Sequence, residues 1–427
     1  MADLPRGFTI KTKGFKMVRV VDKLGEGGQG AVYQVDYAGQ PMALKWYSGK
    51  NMKDPDKFYE NLANNIKKGA PTTVFLWPED ITEKRGEAFG YIMPLRPPEY
   101  KDFSRFLLAQ EKFASVTAMV NAALHITAGF RELHNQGYSY QDLNDGNFFV
   151  NPKTGAVLIC DNDNVAEYGK NLGIGGKCRY TAPEVVLKEA LPSVHTDKFS
   201  LGVVLFLLFM LNHPLEGKKA YPPCMTEALE KKIYGKEPVF IFDPTDPSNA
   251  PIPGINTNAI KRWPAFPLYI REKFIEAFSK KAMGDPSYRI IEQEWLRLFI
   301  RLRGEIYKCV GCGEVFFADA VHPTPCPQCH KSNTFTAYLK TPKYPVPIHQ
   351  RTKLYQCHTE ADSDDFLTLS GEVSLNKQTG GFELKNASKK TWYIIDGGVQ
   401  RTLGPYELVT VQKGMSIDFG GCIAEII

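Results

Sequence analysis

With 427 residues, 43% of them hydrophobic and 23% charged, the chain has an ordinary soluble composition and room for roughly two to four domains. Its 52 basic residues against 47 acidic ones leave a formal charge of +5, too weak and too evenly spread to favour direct nucleic-acid binding. The N-terminal MADLPRGFTIKTKG holds no apolar core of signal-peptide type, and the longest apolar run, LGVVLFLLFML at 201–211, is about half a membrane span. A cytoplasmic protein that does not bind membranes is expected.

In chain order, residues 16–45 alternate in polarity between glycines and predict an antiparallel meander. A helix follows at 54–67, with Asp54 and Asp56 placed to cap it, then a strand at 88–94, AFGYIMP. Apolar residues recur at helical spacing from 102 to 136, with Gly137 as the stop. Short strands are predicted at 147–151 and 156–160, a buried helix near 197–211, an irregular stretch rich in proline and aromatics at 214–268, and helices at 268–283 and 290–304. The pattern describes a small strand-rich lobe joined to a larger helical one. Beyond it lie a cysteine module, a stiff linker TPKYPVPIH within 341–351, and an all-β segment punctuated by glycine pairs from 352 on.

LGEGGQGAVYQV at 24–35 contains Gly25, Gly27 and Gly30, then Val32. A glycine-rich hairpin of this kind is either a plain turn or a place where backbone amides approach phosphate oxygens. It leads into a strand and lacks a Gly-Lys-Ser/Thr, which excludes a P-loop and disfavours a dinucleotide fingerprint. Lys45, in the middle of MALKWY, is either a solvated strand residue or an ammonium pointing under the glycine loop toward α- and β-phosphates. In the second reading it needs a carboxylate to aim it, and Glu60 on the next helix is the best candidate.

Farther on, YQDLNDGN at 140–147 precedes a strand, CDND at 160–163 follows a second one, and APE at 182–184 and TDKFSLG at 196–202 complete the series. These motifs, in this order and with the glycine loop and MALKWY, resemble the protein kinase fold over roughly 18–304. The resemblance implies an α+β bilobal fold, with an N-lobe at 1–95 and a C-lobe at 96–304, that transfers the γ-phosphate of ATP to serine or threonine hydroxyls of a protein substrate with Mg2+. It assigns Lys45 to the phosphates, Glu60 to its ion pair, and Asp142 to the substrate hydroxyl. Asn147 and Asp161 would bind Mg2+, with Asp163 the alternative to Asp161. Met93 would lie at the back of the adenine pocket, with Pro94 and Arg96 offering backbone groups to the adenine edge. Glu184 would pair with Arg289, and Asp197 would brace the catalytic loop. PAFPLYIREKFIEAFSKKAMGDPSYRI resembles bacterial eukaryotic-like kinases that accompany von Willebrand factor A proteins and PP2C-type phosphatases in stress or tellurite-resistance systems. That resemblance implies such proteins as partners.

The chain departs from the family at several points. Gln141 stands where an arginine usually meets an activation-segment phosphate, which makes control by phosphorylation there doubtful. Asn144 replaces a lysine, removing a charge near the γ-phosphate. Asn162-Asp163 replaces Phe-Gly, removing an apolar plug. Lys177 holds a position often occupied by threonine, and Thr181 is an ordinary loop hydroxyl or a phosphosite. A nucleotide-binding pseudokinase scaffold that recruits partners is the alternative to an active enzyme.

Cys309-x2-Cys312-x13-Cys326-x2-Cys329 has the spacing of a tetrahedral Zn2+ site, which predicts a zinc ribbon at 305–340. His322 and His330 are near enough to compete as ligands. From 352 to 427 a β-sandwich is expected; FELKNASKKTWYIIDGGVQRTLGPYELVTVQKGMSIDFGGCIAEI resembles the later strands of a forkhead-associated domain. Ser374 and Asn376 are present for that family's phosphothreonine site, but its arginine is not.

Overall fold

Alternation decides the first sheet. In the computed structural model, which describes residues 3–427 apart from 29, 50, 51, 53, 172, 174, 222, 223, 320, 321, 323, 324, 333, 334 and 336, strands β1 (Thr9–Lys11), β2 (Met17–Glu26), β3 (Ala31–Tyr37) and β4 (Gln40–Tyr47) form the expected meander. With β5 (Asp80–Ile81) and β6 (Phe89–Pro94) they make a six-stranded antiparallel sheet in the order β1-β2-β3-β4-β6-β5. Successive side chains of β4 go to opposite faces. Met42, Leu44 and Trp46 pack with Val18, Val20, Tyr33 and Val35, whereas Ala43 and Tyr47 pack with Phe89 and Tyr91 and with Phe58 and Leu62 of helix α1 (Pro55–Lys68). Lys45 shares the parity of Ala43 and Tyr47, so the sheet aims it at the α1 side. Asp54 caps α1 by accepting a bond from the Lys57 amide at 3.0 Å.

The chain then forms β7 (Lys101–Asp102), a short helix α2 (Phe103–Leu107) and the long helix α3 (Val116–Asn135). The single helix expected over 102–136 is therefore two. Ala109 takes a left-handed φ of 57° after α2, and Ser115 starts α3 afresh by accepting a bond from the Ala118 amide at 3.1 Å. Next come β8 (Tyr138–Ser139), β9 (Phe148–Val150), β10 (Val157–Ile159) and β11 (Ala166–Glu167), followed by helices α4 (Pro183–Val186) and α5 (Val194–Met210). Strands β10, β9 and β7 form a small sheet, and β8 pairs with β11. Helix α5 is apolar all round and buried along nearly its whole length, as its uninterrupted Leu/Val/Phe run demands.

The chain divides into two compact units: residues up to 263 with 271–295, and residues 264–270 with 296–427. The second unit contains the hairpin β12 (Ile306–Lys308) and β13 (Val315–Phe317). Its β-rich remainder comprises β14 (Tyr338–Lys340), β15 (Pro345–Pro347), β16 (Lys353–Tyr355), β17 (Leu369–Leu375), β18 (Phe382–Asn386), β19 (Trp392–Asp396), β20 (Val399–Leu403), β21 (Leu408–Thr410), β22 (Ser416–Asp418) and β23 (Ile423–Ile426). These form one sheet in the order β15-β14-β23-β22-β19-β20 and another in the order β16-β17-β18-β21, antiparallel throughout.

The segment expected to be a linker, 341–351, is a correction. It carries β15, paired with β14, and buries Thr341, Tyr344, Val346, Ile348 and His349. The two prolines of β15, Pro345 and Pro347, are tolerated because the strand lies at the sheet edge, where a missing N–H costs nothing in the ladder. Asn376, considered for phosphothreonine, is committed to the turn after β17. Its oxygen accepts from the Gln378 and Thr379 amides at 2.9 and 3.1 Å, and its amide donates to Glu383 at 2.8 Å. Among the described residues no helix is long and apolar enough to cross a membrane.

Candidate active site

Helix α5 fixes the loop after β8. The Asp197 carboxylate in its first turn accepts from the Tyr140 amide at 2.6 Å and from the Gln141 amide at 3.0 Å. Behind it, His134 is wedged between Asp197 (3.2 Å) and Glu292 (2.7 Å). Burial alone would lower the His134 pKa, but hydrogen bonds and charge from the two carboxylates outweigh it and raise it to about 9, so the ring is cationic at neutral pH. Gln141 takes a left-handed φ of 72°, and its buried amide donates to Ser139 Oγ at 2.9 Å and to the Lys170 carbonyl at 2.6 Å while accepting from Asn171 at 2.9 Å. Neutral hydrogen bonds thus join the loop to the start of the following segment.

On this frame the Asp142 carboxyl is half-buried and its pKa is pushed up to about 6, first by burial and then by the negative charge of Asp161; Lys177 and the Asn144 amide pull the other way. Asn147 donates to the Asp142 carbonyl at 2.8 Å, and its own carbonyl accepts from the Cys160 amide at 2.9 Å, which fastens the loop to the stretch containing Asp161. Lys45 Nζ lies 3.3 Å from Asp161 Oδ1 and 2.9 Å from Asp163 Oδ2. Burial opposes the charge on Lys45, but the two carboxylates more than offset it and hold the ammonium protonated. The Lys45–Asp161 contact is thus joined to the Asp142–Asn147 loop through the Cys160 amide, and the Asp161 charge is felt at Asp142.

The two aspartates after β10 differ in kind. Asp161, at a left-handed φ of 56°, leaves 40% of its side chain exposed, whereas the Asp163 side chain is 0% exposed and also accepts the hydroxyl of Tyr47. Asp161 is thus the more solvent-accessible of the two, whereas Asp163 Oδ1 is buried without a hydrogen-bond partner among the described residues. The Asp161 carboxylate and the Asn147 carboxamide oxygens are hard donors of the sort Mg2+ takes. Asn162, in place of an apolar plug, donates to the carbonyls of Leu76 (2.9 Å) and Ile159 (3.0 Å).

The expected Lys45–Glu60 pair does not form, and this is a second correction. Glu60 is exposed on α1, while Asn61 and Asn65, one turn apart, face inward and donate to the Val165 carbonyl at 2.9 and 2.8 Å. The ammonium is aimed by Asp163 instead. Tyr47 and Asp163 are the residues that sequence reasoning missed in this role. The signal available was the shared strand parity of Lys45 and Tyr47.

At the glycine loop, the Gly27 amide bonds the Gly30 carbonyl at 2.8 Å. A Cβ at Gly30 would lie 2.5 Å from the Trp46 carbonyl oxygen, so this glycine permits strand packing; side chains at Gly25 and Gly27 would meet open space or only distant backbone. Val32 pairs across the sheet with Lys45, and Met93 is buried beside Ala43. Pro94 ends β6, and the Arg96 guanidinium stacks 4.2 Å from the centre of the Phe149 ring. Glu184, in α4, forms a two-pronged pair with Arg289 at 2.8 and 2.7 Å. Thr181 is buried, and its hydroxyl donates to the Lys177 carbonyl at 2.7 Å.

In the second unit the Sγ atoms of Cys309, Cys312, Cys326 and Cys329 all lie within 4.8 Å of one another. The Cys309–Cys329 and Cys312–Cys326 separations are 3.6 and 3.5 Å, against about 3.8 Å for the edge of a tetrahedron with Zn–S near 2.3 Å. His330 takes a left-handed φ of 56° just after the last cysteine and is not part of this cluster, nor is His322.

Comparison with known proteins agrees with this geometry. A family model for the protein kinase domain matches residues 18–238. The chain is similar to protein kinase YegI of Escherichia coli strain K12, 24% identical over 341 residues that cover 74% of this chain and 49% of that protein. It is also similar to the probable serine/threonine-protein kinase kinX of Dictyostelium discoideum, 25% identical over 47% of this chain and 18% of that protein. A third relative is the probable serine/threonine-protein kinase CCRP1 of Zea mays, 31% identical over 22% of this chain and 15% of that protein. The chain spans about half the length of the YegI protein it matches, 49%.

Proposed function

The chain belongs to the protein kinase family, and we propose that it transfers the γ-phosphoryl group of Mg-ATP to serine or threonine hydroxyls of protein substrates. What supports this reading is two contacts joined through the loop backbone: Lys45 with Asp161 at 3.3 Å, and Asn147 with the Asp142 carbonyl at 2.8 Å, with the Asn147 carbonyl bonded to the amide of Cys160 beside Asp161. In the proposed step the hydroxyl oxygen forms a bond to the γ-phosphorus as the bond to the β-phosphate oxygen breaks. The hydroxyl proton passes to Asp142, and ADP departs. Asn147 and Asp161 would hold Mg2+, which supplies charge neutralisation on the triphosphate. Lys45, kept cationic by its carboxylates, would contact the α- and β-phosphates. The glycine loop, Val32, Met93, Pro94 and Arg96 would form the nucleotide end. Cys309, Cys312, Cys326 and Cys329 would hold a structural Zn2+ with no open coordination position.

The test is incubation of the full chain with Mg-ATP and a degenerate serine/threonine peptide mixture, with phosphosites read by mass spectrometry. Serine or threonine phosphate that disappears with EDTA supports the proposal. Nucleotide binding without transfer to peptide or to the chain itself overturns it in favour of a scaffold.

The aim of Lys45 gives a sharper expectation. Asp163→Asn should raise the KM for ATP roughly tenfold or more, the scale of a lost charge-assisted bond. Glu60→Ala should leave it within about twofold, since Glu60 is exposed. Steady-state kinetics at varied ATP distinguish the two; equal effects would restore Glu60 as the partner.

A further inference from the structure

Phosphoryl transfer spreads negative charge over the moving group, and a cation on the acceptor side lowers its cost. Lys45 is already committed to two carboxylates. The other ammonium at the site belongs to Lys177. Its Nζ lies 2.8 Å from Asn144 Oδ1, and the amide nitrogen of the same Asn144 donates to Asp142 Oδ1 at 3.3 Å. One carboxamide therefore separates this ammonium from the Asp142 carboxylate, with its dipole oriented by both. Among the described residues Lys177 forms no ion pair.

Its position is built. The Lys177 carbonyl accepts from the Tyr180 amide at 2.8 Å and from the Thr181 hydroxyl at 2.7 Å. The preceding Gly176 takes a left-handed φ of 68°, and a Cβ there would lie 2.8 Å from Thr181 Oγ1 of the same segment and in ordinary contact, 3.4 Å, with the Gln141 carbonyl oxygen of the loop. A side chain at 176 would be strained at this φ and would crowd the Thr181 hydroxyl that bonds the Lys177 carbonyl.

We propose that Lys177 is a catalytic residue that contacts the γ-phosphate, supplying from the segment before APE the positive charge that Asn144 does not supply from the loop. The inference rests on the proposed phosphoryl transfer. As the bond to the β-phosphate oxygen breaks and the bond to the acceptor oxygen forms, the Lys177 ammonium keeps its proton and neutralises the γ-oxygens.

The experiment uses the full chain in two arms. In the first, Lys177→Met is expected to lower kcat about a hundredfold, with the ATP KM within a few-fold of the parent value. The exchange Asn144→Lys with Lys177→Asn is expected to regain at least roughly a tenth of the parent rate. In the second arm, calorimetric titration with Mg-ATP and Mg-ADP reads whether the residue meets the γ-phosphate, independently of turnover. Lys177→Met should bring the ATP:ADP affinity ratio toward one. If the parent transfers nothing but this ratio still collapses, the transfer reading falls and the γ-phosphate contact stands. Parent-like kcat together with a parent-like ratio overturns the proposal. So does a loss of rate that the exchange fails to repair, since that would mark a structural role.

Discussion

Asp142→Ala is expected to reduce phosphate transfer by about a thousandfold or more, within the range assigned to a positioned general base, while Mg-ATP affinity changes by less than about threefold. The asymmetry arises from the contacts. Asn147 is tied to the backbone carbonyl of Asp142, and the Asn144 amide also bonds that carbonyl, at 3.1 Å, so the loop keeps its shape when the side chain is removed. Lys45 and Asp161 make their 3.3 Å contact without the Asp142 side chain. A phosphorylation assay alongside calorimetric titration checks both halves. If the alanine variant transfers at the parent rate, Asp142 is not the base. The same carboxyl sets an acid limb. Its pKa, raised to about 6 by burial and by Asp161, means that the protonated form dominates below that pH and cannot accept a proton. The kcat/KM profile should fall as pH drops through about 6, and Asp142→Ala should abolish that limb.

Removal of metal from the cysteine module is expected to unfold it. The apolar cluster there consists of Cys309, Phe316, Ala318 and Cys326, with Tyr307 and Phe335 packed against it. So small a core cannot offset the conformational entropy of the loops around it, and a structural Zn2+ contributes on the order of 10–16 kcal/mol in modules of this kind. Elemental analysis should find one zinc per chain. Cys326→Ser, which alters a fully buried thiol of the cluster, is expected to lower the zinc content and expose the β12–β13 hairpin to protease. A metal-free chain with an unchanged digestion pattern would show that the thiols alone suffice.

Much of the first sheet and of the helical part was legible because it rests on local rules. Strand alternation places Lys45 with Ala43 and Tyr47, and an unbroken apolar run forecasts the buried α5. The Glu184–Arg289 pair and the bracing by Asp197 are also present where the motif order indicates. Glu60 misled because helical periodicity sets which residues share a face but not which way that face points. The facing of α1 is decided by Asn61 and Asn65 meeting Val165, 104 and 100 residues along the chain. The proximity of Lys177 to Asn144, 33 residues apart, depends in the same way on how one irregular segment lies against another. In the supposed linker, the prolines mask the alternation of PVP at the level of sequence. An edge position tolerates both.

The carboxamide at Gln141 sets the salt dependence of the join between the loop and the segment after it. Its bonds to Lys170 and Asn171 hold the segment with uncharged groups, so they require no added anion to form and are little weakened by ionic strength. There is no guanidinium at that position waiting for a phosphate. The join between loop and segment is therefore closed at position 141 without any charged group.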